Sequence, residues 1–131
     1  MQRLLMIAGT ALLALTVQAS ADGDPAKGEK VFKKCAACHA VGPDAKNKVG
    51  PELNGIVGRP WGAVDGYKYS ANLLELADGK VWDDETLDAY LTKPKDLIPK
   101  GKMAFAGLKK EDDRENVIAY LNQYNEDGSS K

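Results

Sequence analysis

The hydrophobic pattern divides the chain into an apolar opening, several short helical stripes and two long stretches without a period. The opening run covers 4–17, behind Met1-Gln2-Arg3 and ahead of Ala19-Ser20-Ala21. Beyond it, Asp24 and Pro25 supply an N-cap and a first helical residue, and Val31, Phe32 and Cys35 recur at helical spacing. Gly28 interrupts this stripe, which fits either close contact with another backbone or a tolerated glycine near a frayed end. Ser70 is placed to cap a short helix through Asn72 to Leu76, closed by Asp78-Gly79. Residues 83–92 predict a clearer helix, with an acidic first turn, an apolar face of Leu87, Tyr90 and Leu91, and Pro94 as its stop. The last helix is expected from about 110 to 124, with Val117, Ile118, Leu121 and Tyr124 inward and Tyr120 beside them. Residues 41–66 and 93–107 read as loop, with turns at Gly50-Pro51 and Arg59-Pro60, and 126–131 as a frayed tail. Nothing alternates as a strand would, and no segment repeats. The expected fold is all-α with long loops.

Loops of that length are unusual in a compact domain unless something inside orders them. At 131 residues the chain suits one domain at most. Residues 1–21 have the form of a cleaved secretory signal peptide, leaving 22–131 as the domain; the apolar run is short for a membrane anchor. The leader implies export to a periplasm. No other segment is suited to crossing a bilayer, so a soluble protein is expected, and with no evident oligomerisation surface a monomer is expected. The whole sequence holds 18 Lys and Arg against 19 Asp and Glu, a net charge of −1, and cleavage removes Arg3. Such a balance creates no strong overall field and suggests no nucleic-acid partner, although a local patch can still steer an encounter.

The chemistry is concentrated in Cys35-Ala36-Ala37-Cys38-His39. Cys-x-x-Cys-His is the attachment pattern of a c-type haem: two thiols add to the porphyrin vinyl groups, and the next histidine lies under the iron. These are the two cysteines and the one histidine of the whole chain. A redox disulfide would want βαβ surroundings that this pattern does not offer. A structural zinc would want four nitrogen or sulfur ligands where three exist. Covalent haem is the reading that remains, and a porphyrin would supply the order the loops need.

The opposite face of the iron has few candidates. Met1 and Met6 leave with the leader, so Met103, in a loop beside Lys102 and Phe105, is the one methionine of the mature chain. A thioether suits haem iron and raises its reduction potential. The alternative is that Met103 fills a core gap, with a lysine, water or nothing as the sixth ligand.

Taken in order, these blocks resemble class I cytochrome c over essentially the whole mature chain. They are Lys34 through the haem motif, Val49-Gly50-Pro51-Glu52-Leu53, Gly58-Arg59, Tyr67-Lys68-Tyr69-Ser70 with Asn72, Trp82, and Glu85-Thr86-Leu87 with Tyr90-Leu91. Lys102-Met103-Ala104-Phe105-Ala106-Gly107 and Val117-Ile118-Ala119-Tyr120-Leu121 complete the set. The resemblance implies that the Pro51 carbonyl accepts from the His39 ring and that Tyr90 bonds towards the Met103 sulfur. It places Arg59, Tyr69, Trp82 and Asn72 around the haem propionates and Phe105 at the exposed haem edge. It also implies that Gly28, Phe32, Val117 and Tyr120 form the crossing of the first and last helices. Lys34, Lys48, Lys95, Lys102, Lys109 and Lys110 match positions that present positive charge to partners, with Lys30 a weaker candidate. Two features depart from the family: Gly101 stands where many relatives have a propionate-binding threonine, and 73–80 is longer than in the short mitochondrial form.

The implied function is one-electron transfer, not catalysis, between membrane redox complexes such as a cytochrome bc complex, a terminal oxidase or a photosynthetic reaction centre. A haem enzyme or gas-binding protein would need Met103 displaced, and a thiol or zinc module would need no haem.

Overall fold

The computed structural model describes Gly9 and residues 23–131; the expected signal peptide and its cleavage site lie outside the described residues. Among the described residues five helices form: α1 Pro25–Phe32, α2 Ala71–Leu76, α3 Asp84–Thr92, α4 Pro94–Leu97 and α5 Glu111–Leu121. Among the described residues there is no sheet, only two isolated antiparallel bridges, Pro60 with Val81 and Tyr124 with Ser130.

Helix starts follow local capping chemistry. Asp24 accepts from the Ala26 and Lys27 N–H groups, Ser70 from Leu73, and Asp83 from Thr86, each taking up donors that a helix N-terminus leaves unpaired. Pro94 does more than stop α3. Its fixed φ suits a first helical position, so it also opens the four-residue α4, inside the stretch expected to be loop.

The frame of the fold is the crossing of α1 over α5. A Cβ on Gly28 would lie 1.9 Å from the Asn116 carbonyl oxygen, so only glycine lets the two backbones approach this closely. Asn116 Oδ1 accepts from Asp24 N–H at 2.8 Å, and Phe32 meets Tyr120 with ring centroids 5.4 Å apart. Next to this crossing, α3 is tied to α5 by Arg114 Nε on Asp88 Oδ1 at 2.8 Å. The main hydrophobic cluster runs from Val31 and Phe32 through Leu87 and Leu91 to Val117 and Leu121, and extends into the loops at Ile56, Trp61 and Ile98. Thus the loops share one core with the helices.

Two expectations at the C-terminus are corrected. Helix α5 ends at Leu121 rather than Tyr124, and 126–131 is not frayed. Asn125 and Gly128 donate to Ser129 and Asn125 carbonyls, Lys131 N–H reaches the Gln123 carbonyl, and buried Gly128 packs against the backbone of Gly42 and Pro43. Polar, glycine-containing composition here makes a tight turn, and the loop beneath it gives that turn a surface to pack on.

Candidate cofactor site

After α1 the chain tightens into short-range turns: Cys35 N–H donates to the Phe32 carbonyl at 2.7 Å and His39 N–H to the Cys35 carbonyl at 2.9 Å. Those turns bring Cys35, Cys38 and His39 to the wall of one cleft, which Met103 also lines. The walls are largely apolar, including Phe32, Leu73, Leu91, Ile98 and Val117. Burial pushes the Cys35 thiol upward, and neighbouring Cys38 adds to this while Lys34 opposes it.

His39 is held on two sides. Its Nδ1 lies 2.7 Å from the Pro51 carbonyl oxygen; a carbonyl can only accept, so Nδ1 carries the proton and Nε2 keeps its lone pair. Burial lowers the imidazole's pKa, the Pro51 bond partly opposes it, and Lys48 lowers it further, which favours the neutral ring that a metal requires. Gly50 packs on the ring so closely that a Cβ there would stand 2.3 Å from Cε1.

At the same cleft, Tyr90 Oη donates to Met103 Sδ at 3.2 Å. Burial raises the Tyr90 phenol to about 12, so it stays a donor across the physiological range. Phe105 is half-buried at the same cleft. Gly101 has little room for a side chain: Ile98 Cγ2 and the Ile98 carbonyl oxygen would lie 3.0 and 3.2 Å from its Cβ.

At the end expected to hold carboxylates, Arg59 is buried, and its guanidinium donates to the Glu52 carbonyl at 2.9 Å, to Glu52 Oε1 at 3.2 Å and to the Asn54 carbonyl. Arg59, Tyr69 and Trp82 all line the cleft. The Tyr69 phenol accepts from Val64 N–H at 3.0 Å, and burial raises its pKa. Asn72 Oδ1 accepts from Lys100 N–H at 2.8 Å, pinning α2 to the chain ahead of Met103, and the next residue, Leu73, lines the cleft.

Four residues here were not singled out from the sequence. Glu52 partners Arg59, and Asn54 bonds both the N–H and the carbonyl of Gly42, at 2.8 Å each. Tyr67 lines the cleft. Trp61 stacks on Trp82 with centroids 4.5 Å apart, and its buried Nε1–H has no partner among the described protein groups. A second tryptophan in a polar loop was the one signal available for Trp61; Glu52 and Tyr67 lay within blocks that resemble the family but carried no assigned role, and nothing pointed to Asn54.

The expected docking lysines are all exposed. Lys34 and Lys102 border the cleft, and Lys48 Nζ donates to the Ala36 carbonyl at 2.9 Å, bridging from the 47–50 loop to the motif.

The residues fit a covalently held haem: paired thiols, a neutral imidazole and a thioether meet at one apolar cleft, with a buried cation and an unpartnered indole N–H beside it. The cytochrome c family profile matches residues 25–125. The chain belongs to the cytochrome c family. It is 56% identical over 106 residues to cytochrome c-550 of Ancylobacter novellus, covering 80% of this chain and 99% of that protein. Cytochrome c2 of Blastochloris viridis is 46% identical over 126 residues, covering 96% and 98%. The solved structure of cytochrome c2 from Rhodospirillum centenum superposes with a TM-score of 0.74 at 44% identity, covering 79% of this chain and 99% of that one. The fold is the all-α class I cytochrome c fold, the cofactor of the family is haem c, and its members are electron carriers, not enzymes.

Proposed function

We propose that this cytochrome is a soluble, periplasmic one-electron carrier, exported by residues 1–21, that shuttles electrons between membrane redox complexes. A cytochrome bc complex, a terminal oxidase or a photosynthetic reaction centre has the right chemistry to be such a partner. The supporting observation is that His39 and Met103 line one cleft and each is held by its own hydrogen bond, His39 donating to the Pro51 carbonyl and Met103 accepting from Tyr90. Bound haem supplies an iron that cycles between Fe(III) and Fe(II). Cys35 and Cys38 would hold it through their thiols, and His39 and Met103 would supply a nitrogen and a sulfur to the iron. Pro51 fixes the histidine tautomer, and Tyr90 holds the sulfur in place. Arg59, Tyr69 and Trp82 offset propionate charge in a site screened from water, and Phe105 shields the haem edge. Lys34, Lys48, Lys95, Lys102, Lys109 and Lys110 attract acidic partner surfaces in a transient, salt-sensitive encounter. Among the described residues no helix is long and apolar enough to cross a membrane.

The test is an optical spectrum of the purified mature protein, oxidised and reduced, with and without CO. Low-spin reduced bands, the far-red methionine–ferric band and no CO response support the reading; a high-spin spectrum or prompt CO binding overturns it in favour of ligand binding. Electron transfer to a membrane complex that slows as salt rises supports the lysine patch, and rates independent of salt count against it.

A further inference from the structure

Tyr67 touches both loops that carry the axial ligands. Its phenol donates to the Val49 carbonyl at 2.8 Å, and Val49 immediately precedes Gly50, which packs on the His39 ring, and Pro51, which bonds it. On the other side the Lys102 ammonium stands 4.5 Å from the Tyr67 ring centroid and also donates to the Lys68 carbonyl. Lys102 directly precedes Met103. The Tyr67 ring is itself braced edge-on against Tyr69, centroids 4.8 Å apart. The contacts therefore run from the histidine side, through one aromatic ring, to the methionine side.

We propose that Tyr67 is a positioning residue: with Lys102 it straps the Met103 loop to the Val49 loop across the mouth of the cleft and keeps the thioether in reach of the iron. The inference rests on Met103 being the sixth ligand. Opening that loop moves Lys102 off the ring and exposes the cleft, so both contacts oppose opening. The strap also meets a need particular to this chain, since Gly101 carries no side chain to fasten the loop from within. Lys102 is thereby assigned a second task besides presenting charge, because its ammonium is committed to a ring and a carbonyl.

The experiment uses the haem-loaded protein and its Tyr67→Phe, Lys102→Gln and double variants, with Lys27→Gln as a control for loss of an exposed charge. Tyr67→Phe keeps the ring but removes the Val49 bond; Lys102→Gln keeps the stem but removes the cation. Two readouts are taken below the global unfolding transition: the temperature at which the far-red methionine–ferric band disappears, and the rate of CO binding to the reduced protein. Each single variant is expected to lose the band at lower temperature and to bind CO about fivefold faster, the scale of one lost hydrogen bond. The double variant is expected to fall short of the product of the two factors, because the contacts share one ring. Variants that match the parent and the Lys27 control, or a double variant whose effects multiply fully, overturn the strap. A parent protein lacking the methionine band overturns the ligand assignment and the strap together; a parent with the band and unmoved variants overturns the strap alone.

Discussion

The Tyr90 phenol donates to the Met103 sulfur at 3.2 Å, from a position where its ring also leans on Trp82, centroids 4.9 Å apart. A donor on a thioether draws electron density from the sulfur and weakens its donation to Fe(III), which favours the reduced state. Tyr90→Phe keeps the ring and its contact with Trp82 while removing the donor. The reduction potential is expected to fall by a few tens of mV, on a scale where about 59 mV is tenfold for a one-electron couple. A spectroelectrochemical titration checks this, and an unchanged or raised potential contradicts it.

Gly28→Ala places a methyl group 1.9 Å from the Asn116 carbonyl oxygen and 2.7 Å from Tyr120 Cβ. Neither neighbour can swing away, since one is backbone and the other is fixed to it, so α1 and α5 must separate. The expected loss is about 3 kcal/mol, lowering the melting temperature by more than about 10 °C. Thermal unfolding of the haem-loaded protein measures it; a drop of only about 2 °C would mean that the crossing yields more easily than its geometry indicates.

What could be read in advance was whatever is local in sequence. Asp24 and Ser70 signal their helices because a cap and its donors lie within three residues of one another, whereas Asp83, expected inside its helix, caps it instead. The haem motif is legible for the same reason. Pro94 was half legible: the rule that a proline ends a helix hid the rule that it can begin one. The tail at 126–131 was misread because its order comes from packing against Gly42 and Pro43, more than eighty residues earlier in the chain. The strap at Tyr67 joins residues from three loops, a relationship no single stretch can announce.

Gly101→Thr tests the departure at that position directly. A side chain there begins 3.0 Å from Ile98 Cγ2, and Ile98 is only 2% exposed, so it has little freedom to give way. Restoring the hydroxyl is therefore expected to cost stability, by about 1 kcal/mol, the low end of the range for an overfilled core. A denaturant midpoint that drops by that order supports the crowding, while a gain would mean that a new propionate bond outweighs it.

Asp83 ties acid sensitivity to one helix end. Its side chain accepts from Thr86 N–H at 2.7 Å, and the bonds to Thr86 hold its carboxyl below the usual carboxylate range. Because the folded pKa is depressed, the stabilisation is present above the unfolded value and is lost as pH falls through the folded one. Asp84 and Glu85 share the first turn of α3 in both parent and variant, so their effects cancel in the comparison. Asp83→Asn keeps a capping oxygen but removes the titrating group. The variant is expected to be less stable than the parent at neutral pH and to lose less between about pH 5 and pH 3, so that the two curves converge. Unfolding midpoints of both haem-loaded proteins across that range decide it: parallel curves would show that Asp83 contributes nothing to the acid transition.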